Sequence, residues 1–138
     1  MKKILISLVA LFVCVGAVAL AQGTKTPEQR EKELYEAIEK QVEQLELQLE
    51  LEPWQVFYVD SILTHDVMEM QKEFADMSAA KISNSDLFYD VQDKWAEQIY
   101  NSFHKVFNEE QWIKYEKQGA ARDKKAREKR AAKKNKKK

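Results

Sequence analysis

The chain has 138 residues, 44% of them hydrophobic, with 23 Lys or Arg against 23 Asp or Glu; this bounds it to one modest core and leaves too little chain for two. Beyond residue 22 only Gly23, Gly119, Pro27 and Pro53 punctuate it, which excludes a β-rich fold needing turn residues at short intervals. The neutral sum hides a segregation: Arg122 to Lys138 holds eleven basic residues against Asp123 and Glu128, whereas Gln22 to Ala121 holds ten basic against twenty-one acidic.

Met1-Lys2-Lys3 precedes an apolar run from Ile4 to Ala21 that closes on Ala19-Leu20-Ala21. A basic start, an apolar middle and a small-x-small site predict a secretory signal peptide cleaved after Ala21. The same run is long enough to span a bilayer if left uncleaved. Cys14 sits inside the apolar run, not just behind a small residue at its end, so no lipid anchor is expected there. Cleavage removes the only cysteine and leaves stability to packing without disulfides.

Thr26-Pro27-Glu28-Gln29 opens the first helix: Thr26 can cap, Pro27 suits the first position and Gln29 completes a capping box. Leu34, Ile38, Val42, Leu45 and Leu49 follow as one apolar stripe. Pro53 disfavours helical geometry at Glu52 and begins a second helix, in which Val56, Val59, Leu63, Val67, Met70, Phe74 and Met77 form a heptad-like seam. That seam faces either the core or a second copy in a homodimer. Ser83-Asn84-Ser85-Asp86 predicts a loop with capping side chains, and a third helix from about Asp86 carries Phe88, Val91, Trp95, Ile99, Phe103 and Val106. Asn108 caps a fourth helix expected to bury Trp112, Ile113 and Tyr115. Beyond Gly119 no apolar face remains, so the basic segment is expected as disorder or frayed helix. The fold class is therefore all-α, a small antiparallel helical hairpin or bundle of about four helices. Its domain limits are 1–21 for the signal peptide, 22–121 for the helical domain and 122–138 for the tail.

Leu51-Glu52-Pro53-Trp54-Gln55 and Phe107-Asn108-Glu109-Glu110-Gln111 repeat one pattern: an apolar residue able to staple, a cap position, two helix-start residues and a Gln able to reach back. At these stretches the chain resembles the LTxxQ family of periplasmic proteins, the Spy and CpxP type, whose paired Leu-Thr-x-x-Gln motifs open two helices. Glu52 and Asn108 stand where the pattern has Thr, and Phe107 where it has Leu. The carried-over motif residues are Leu51, Gln55, Phe107, Asn108 and Gln111. The resemblance implies a thin, periplasmic, all-α cradle, often dimeric, which holds unfolded clients without ATP or acts as an envelope-stress adaptor. Tyr58, Ile62, Tyr89 and Tyr100 lie off the apolar seams, and either contact such clients or partner proteins or widen the core-facing stripes.

No catalytic constellation is visible. Beyond Ala21 there is no cysteine nucleophile, and the sequence has no Gly-rich phosphate loop; His65, Asp66 and Glu69 read as a solvated polar face, so no metal or other cofactor is expected. The tail supports a different function class, a structural envelope protein tethered to an anionic surface through Lys124, Lys125, Arg127, Lys129, Arg130, Lys133 and Lys134. Alternatively it folds back on the acidic body as a solubilising tail. No aromatic residue follows Tyr115, so bases have no stacking platform and no nucleic-acid partner is expected.

Overall fold

The computed structural model describes residues 25–137. The expected signal segment, its cleavage site after Ala21 and Cys14 lie outside those residues. Among the described residues no helix is long and apolar enough to cross a membrane.

The fold is all-α, as expected. Helix α1 spans Pro27–Leu49 and starts on the predicted capping box, with Gln29 N donating to Thr26 Oγ1 at 3.2 Å and Thr26 N to Gln29 Oε1 at 3.0 Å. It ends because Glu50 turns left-handed at φ 53°, which lets Leu51 N donate back to Glu46 O at 3.1 Å. Helix α2 spans Pro53–Ala79 and α3 spans Ser85–Val106, the latter capped by Asn84 Oδ1 on Asp86 N at 3.0 Å. Their contacts step down one helix while stepping up the other: Phe74 meets Phe88, Asp66 meets Gln98 and Gln55 meets Val106. This is the predicted antiparallel hairpin, and α1 packs along α2 to complete the layer.

The predicted stripes supply the core. Ile38, Val42, Leu45 and Leu49 of α1 meet Val59, Leu63, Val67 and Met70 of α2 and Trp95, Ile99 and Phe103 of α3, all buried. Val59, Leu63, Val67 and Met70 of the α2 seam are thus buried by packing within the chain, while Val56, Phe74 and Met77 are half-buried.

Helix α4 spans Glu109–Tyr115, seven residues. It buries Gln111 and Tyr115, one helical turn apart, and half-buries Trp112. Ile113 departs from the expectation at 46% exposure, since in so short a helix the residue between Gln111 and Tyr115 points away from the body. A π-helical segment, Glu116–Ala120, follows, and within it Gly119 takes φ 134° and ψ −13°, a geometry that only a residue without Cβ holds cheaply.

That kink aims α5, Ala121–Asn135, back along α3. The expectation of disorder or frayed helix for 122–138 is corrected by this helix. Without an apolar face, α5 docks by charge: Lys124 and Arg127 reach Glu97, Arg130 reaches Asp93 and Lys134 reaches Asp90.

Candidate functional site

The two resembling segments, far apart in sequence, close on each other. Gln55 and Gln111 form a reciprocal buried amide pair, with Gln55 Nε2 to Gln111 Oε1 at 2.7 Å and Gln111 Nε2 to Gln55 Oε1 at 3.0 Å. Each glutamine also serves its own helix start: Gln55 Oε1 accepts from Glu52 N at 2.9 Å, and Gln111 Oε1 accepts from Asn108 N at 3.0 Å. Asn108 Oδ1 returns the bond by accepting from Gln111 N at 2.9 Å. Gln55 Nε2 further donates to Val106 O at 3.0 Å, near the C-terminal end of α3. Leu51 and Phe107, the apolar residues opening the two segments, are both buried in the core. All the motif residues therefore converge on one joint where α2 and α4 start and α3 ends.

One turn of α2 shows opposite faces at this joint. Gln55 and Val59 point inward and are buried, while Trp54, Phe57 and Tyr58 are 51%, 67% and 52% exposed. Their rings touch, with centroids 6.2 Å apart for Trp54 and Tyr58 and 5.7 Å for Phe57 and Tyr58. Leaving a large aromatic in water forgoes roughly 1.5–3 kcal/mol of burial per side chain, so three in contact form a patch ready to be covered by something else. Tyr58 was legible as lying off the seam; Trp54 and Phe57 were not singled out, although their spacing from Tyr58 places them on one face.

The other candidate contact residues scatter. Tyr89 is exposed near the start of α3, remote in sequence from the joint, and Ile62 is half-buried against the core, where it widens the α2 stripe. Tyr100 is packed against Trp112 at 4.8 Å and lies under two cations of α5, Lys124 Nζ at 4.8 Å and Arg127 at 5.6 Å from its ring. It is half-buried as a structural contact between α3, α4 and α5.

The ladder between α3 and α5 uses the tail's cations unevenly. Arg127 grips Glu97 Oε2 through Nε at 3.1 Å and Nη2 at 2.9 Å, and Arg130 grips Asp93 with two bonds of 2.7 Å. Lys124 adds a bond to Glu97 at 2.8 Å, and Lys134 meets Asp90. Of the seven tail residues proposed for an anionic surface, these four face inward; Lys125, Lys129 and Lys133 are exposed. Asp90, Asp93 and Glu97 follow helical spacing, as do the four cations, and that matched spacing was the available signal for the pairing.

Burial opposes ionisation of Glu97, but the hydrogen bonds and charges of Lys124 and Arg127 outweigh it and hold its carboxyl below the ordinary value. A depressed folded-state pKa contributes stability that is complete above the unfolded value and is lost as pH falls through the folded one. Docking of α5 is therefore expected to persist at neutral pH and to fail below about pH 4, or in roughly 1 M salt where the Debye length shrinks to about 3 Å. Amide hydrogen exchange should show loss of protection across 121–135 while α2 and α3 stay protected. Unchanged protection at pH 3 would mean that packing and not charge holds α5.

Asp66 is buried and accepts from Gln98 Nε2 at 3.0 Å, with His65 Nδ1 2.8 Å away. The hydrogen bond to Asp66 raises the His65 pKa above its ordinary value. The Asp66–Gln98 hydrogen bond ties α2 to α3. Among the described residues no group of three or more His, Cys, Asp or Glu comes together as a metal site.

Comparison with protein-family models, with curated proteins and with solved structures returned no match.

Proposed function

We propose that the chain is an exported, periplasmic protein-binding module that works without ATP, holding unfolded or partner proteins or relaying envelope stress. The observation that carries this is the exposed aromatic patch of Trp54, Phe57 and Tyr58 on the first turns of α2. Aromatic side chains with few rotatable bonds, presented on a rigid element, are the usual anchors of protein interfaces. Rigidity here comes from the amide joint immediately behind the patch, which fixes the start of α2 against α3 and α4. Two further points support the reading. The degenerate motifs that carry the family resemblance perform the same capping task and meet, as paired motifs with one structural role would. Glu50, Glu52 and Asp60 flank the patch, so it favours apolar client segments that also carry basic residues.

The test is suppression of client aggregation, followed by light scattering, with the chain from Gln22 onward. Suppression is expected from that chain and from a version ending at Ala121, and is expected to drop at least fivefold in Trp54→Ser/Phe57→Ser/Tyr58→Ser. All three positions are exposed, so circular dichroism and the melting temperature should change little. Equal suppression by the triple variant, or none by the parent, overturns the proposal.

A further inference from the structure

Helix α5 has two faces with different uses of positive charge. The inward face carries both of the arginines that pair with α3, and planar guanidinium groups suit the bidentate carboxylate contacts made there. Lys125, Lys129 and Lys133 lie one turn apart on the opposite face, and Lys136 just past the helix end continues the row. At 100° per residue these four fall within about 80° of arc and cover about 17 Å of helix. All four are exposed, and no ion pair with another of the described residues engages them. The carboxylates of α5 do not neutralise the row, because Glu128 pairs with Lys124 at 3.7 Å and Asp123 with Arg122 at 3.3 Å.

A row of like charges spaced four residues apart disfavours its own helix. Here the helix is held from its other side by α3, so the lysines remain aligned and presented. We propose that this outer lysine row docks the protein on an anionic phospholipid surface, with the α3 ladder acting as the mount. The chemistry of the row selects that occupant. Ammonium groups are compact, strongly hydrated point charges that suit a field of mobile head groups, whereas fixed phosphates in a defined site favour arginine forks. Alanine is the only apolar residue type in α5, so nothing inserts and the attachment is peripheral. The row carries no aromatic side chain on which bases could stack. The inference is independent of the aromatic patch, which lies on α2.

Co-sedimentation with vesicles tests it, using the chain from Gln22 onward, which holds every helix and the whole core described above. Binding is expected on vesicles of phosphatidylglycerol and phosphatidylcholine in equal parts at low salt, and not on phosphatidylcholine alone. Each lysine near an anionic surface raises partitioning about fivefold, so Lys125→Gln/Lys129→Gln/Lys133→Gln/Lys136→Gln should lower it by about 10²- to 10³-fold. A charge-matched variant, Lys40→Gln/Lys72→Gln/Lys105→Gln/Lys117→Gln, should lose less than tenfold. Equal loss in both variants overturns the proposal, since net charge and not the row would then be responsible. Equal binding to neutral vesicles overturns it also, as does tighter binding to duplex DNA than to anionic vesicles at the same salt. The holdase reading can fail in light scattering without altering any of these outcomes.

Discussion

Phe103→Ala is expected to destabilise the protein by about 3–5 kcal/mol, the largest single effect in the chain. Phe103 is 0% exposed and joins α3 to the turn after it and to α4. Its ring lies 5.2 Å from Phe107 and 5.7 Å from Tyr115, while Phe107 and Tyr115 are themselves 5.5 Å apart, so one triangle of aromatics binds α3, the turn after it and α4. Removing one corner costs the transfer free energy of the ring, the cavity left in a site walled by close-packed neighbours, and two aromatic contacts, one tilted and one edge-to-face, of about 0.5–1.5 kcal/mol each. Tyr115 is committed to this triangle, and burial raises its phenol pKa, so the hydroxyl stays neutral. Urea unfolding at neutral pH measures the loss. Phe103→Leu, which keeps most of the volume, should cost less than half as much. A loss below about 1 kcal/mol for the alanine variant would show that the triangle collapses to refill the space, contrary to the close packing of protein interiors.

Breaking the amide joint is expected to cost nearly as much. Gln55→Leu removes four hydrogen bonds at once, leaving Glu52 N–H, Val106 C=O and Gln111 Nε2 to find other partners, while Gln111 Oε1 keeps its bond from Asn108 N. An unsatisfied buried polar group costs about 1–3 kcal/mol, and partial access of water to the rim of the joint brings the expected total to about 2–4 kcal/mol. Gln111→Leu should behave similarly, because it deprives Asn108 N–H of its acceptor as well as Gln55 of its partner. The informative quantity is their combination. Once one glutamine is gone the other's mutual bonds are already lost, so the double variant should be less destabilised than the sum by about 1–2 kcal/mol. Additive effects in a double-mutant cycle would mean that each glutamine matters only as a helix cap. Because α2 begins at this joint, the single variants should also weaken client holding by loosening Trp54, Phe57 and Tyr58.

The two results bear on different parts of the proposed function. The aromatic triangle sets whether the body folds, and the amide joint sets how firmly the exposed patch is presented. A variant that folds with a loosened joint therefore separates stability from binding more cleanly than a core deletion does.

The features legible in the sequence are local ones. Helix starts at Thr26, Pro53 and Asn108 were legible because a cap position and a glutamine, joined by a proline in the first two, act within four residues of one another. The buried stripes, from Ile38 to Leu49, Val59 to Met70 and Trp95 to Phe103, were legible because helical period alone decides which side chains share a face. Tertiary structure decided everything that depended on choosing a distant partner. Gln55 could be read as a cap, but its pairing with Gln111 joins residues 56 apart. The tail's fate turned on the same point: a segment without an apolar face looks frayed until Asp90, Asp93 and Glu97 are found opposite it, with Arg130 and Asp93 separated by 37 residues. Trp54 and Phe57 remained in water because the interior of that turn was already taken by Gln55 and Val59. Period and capping chemistry specify faces and ends, whereas which faces meet is set by the packing of the whole chain, where charge complementarity and a single joint outweigh local propensity.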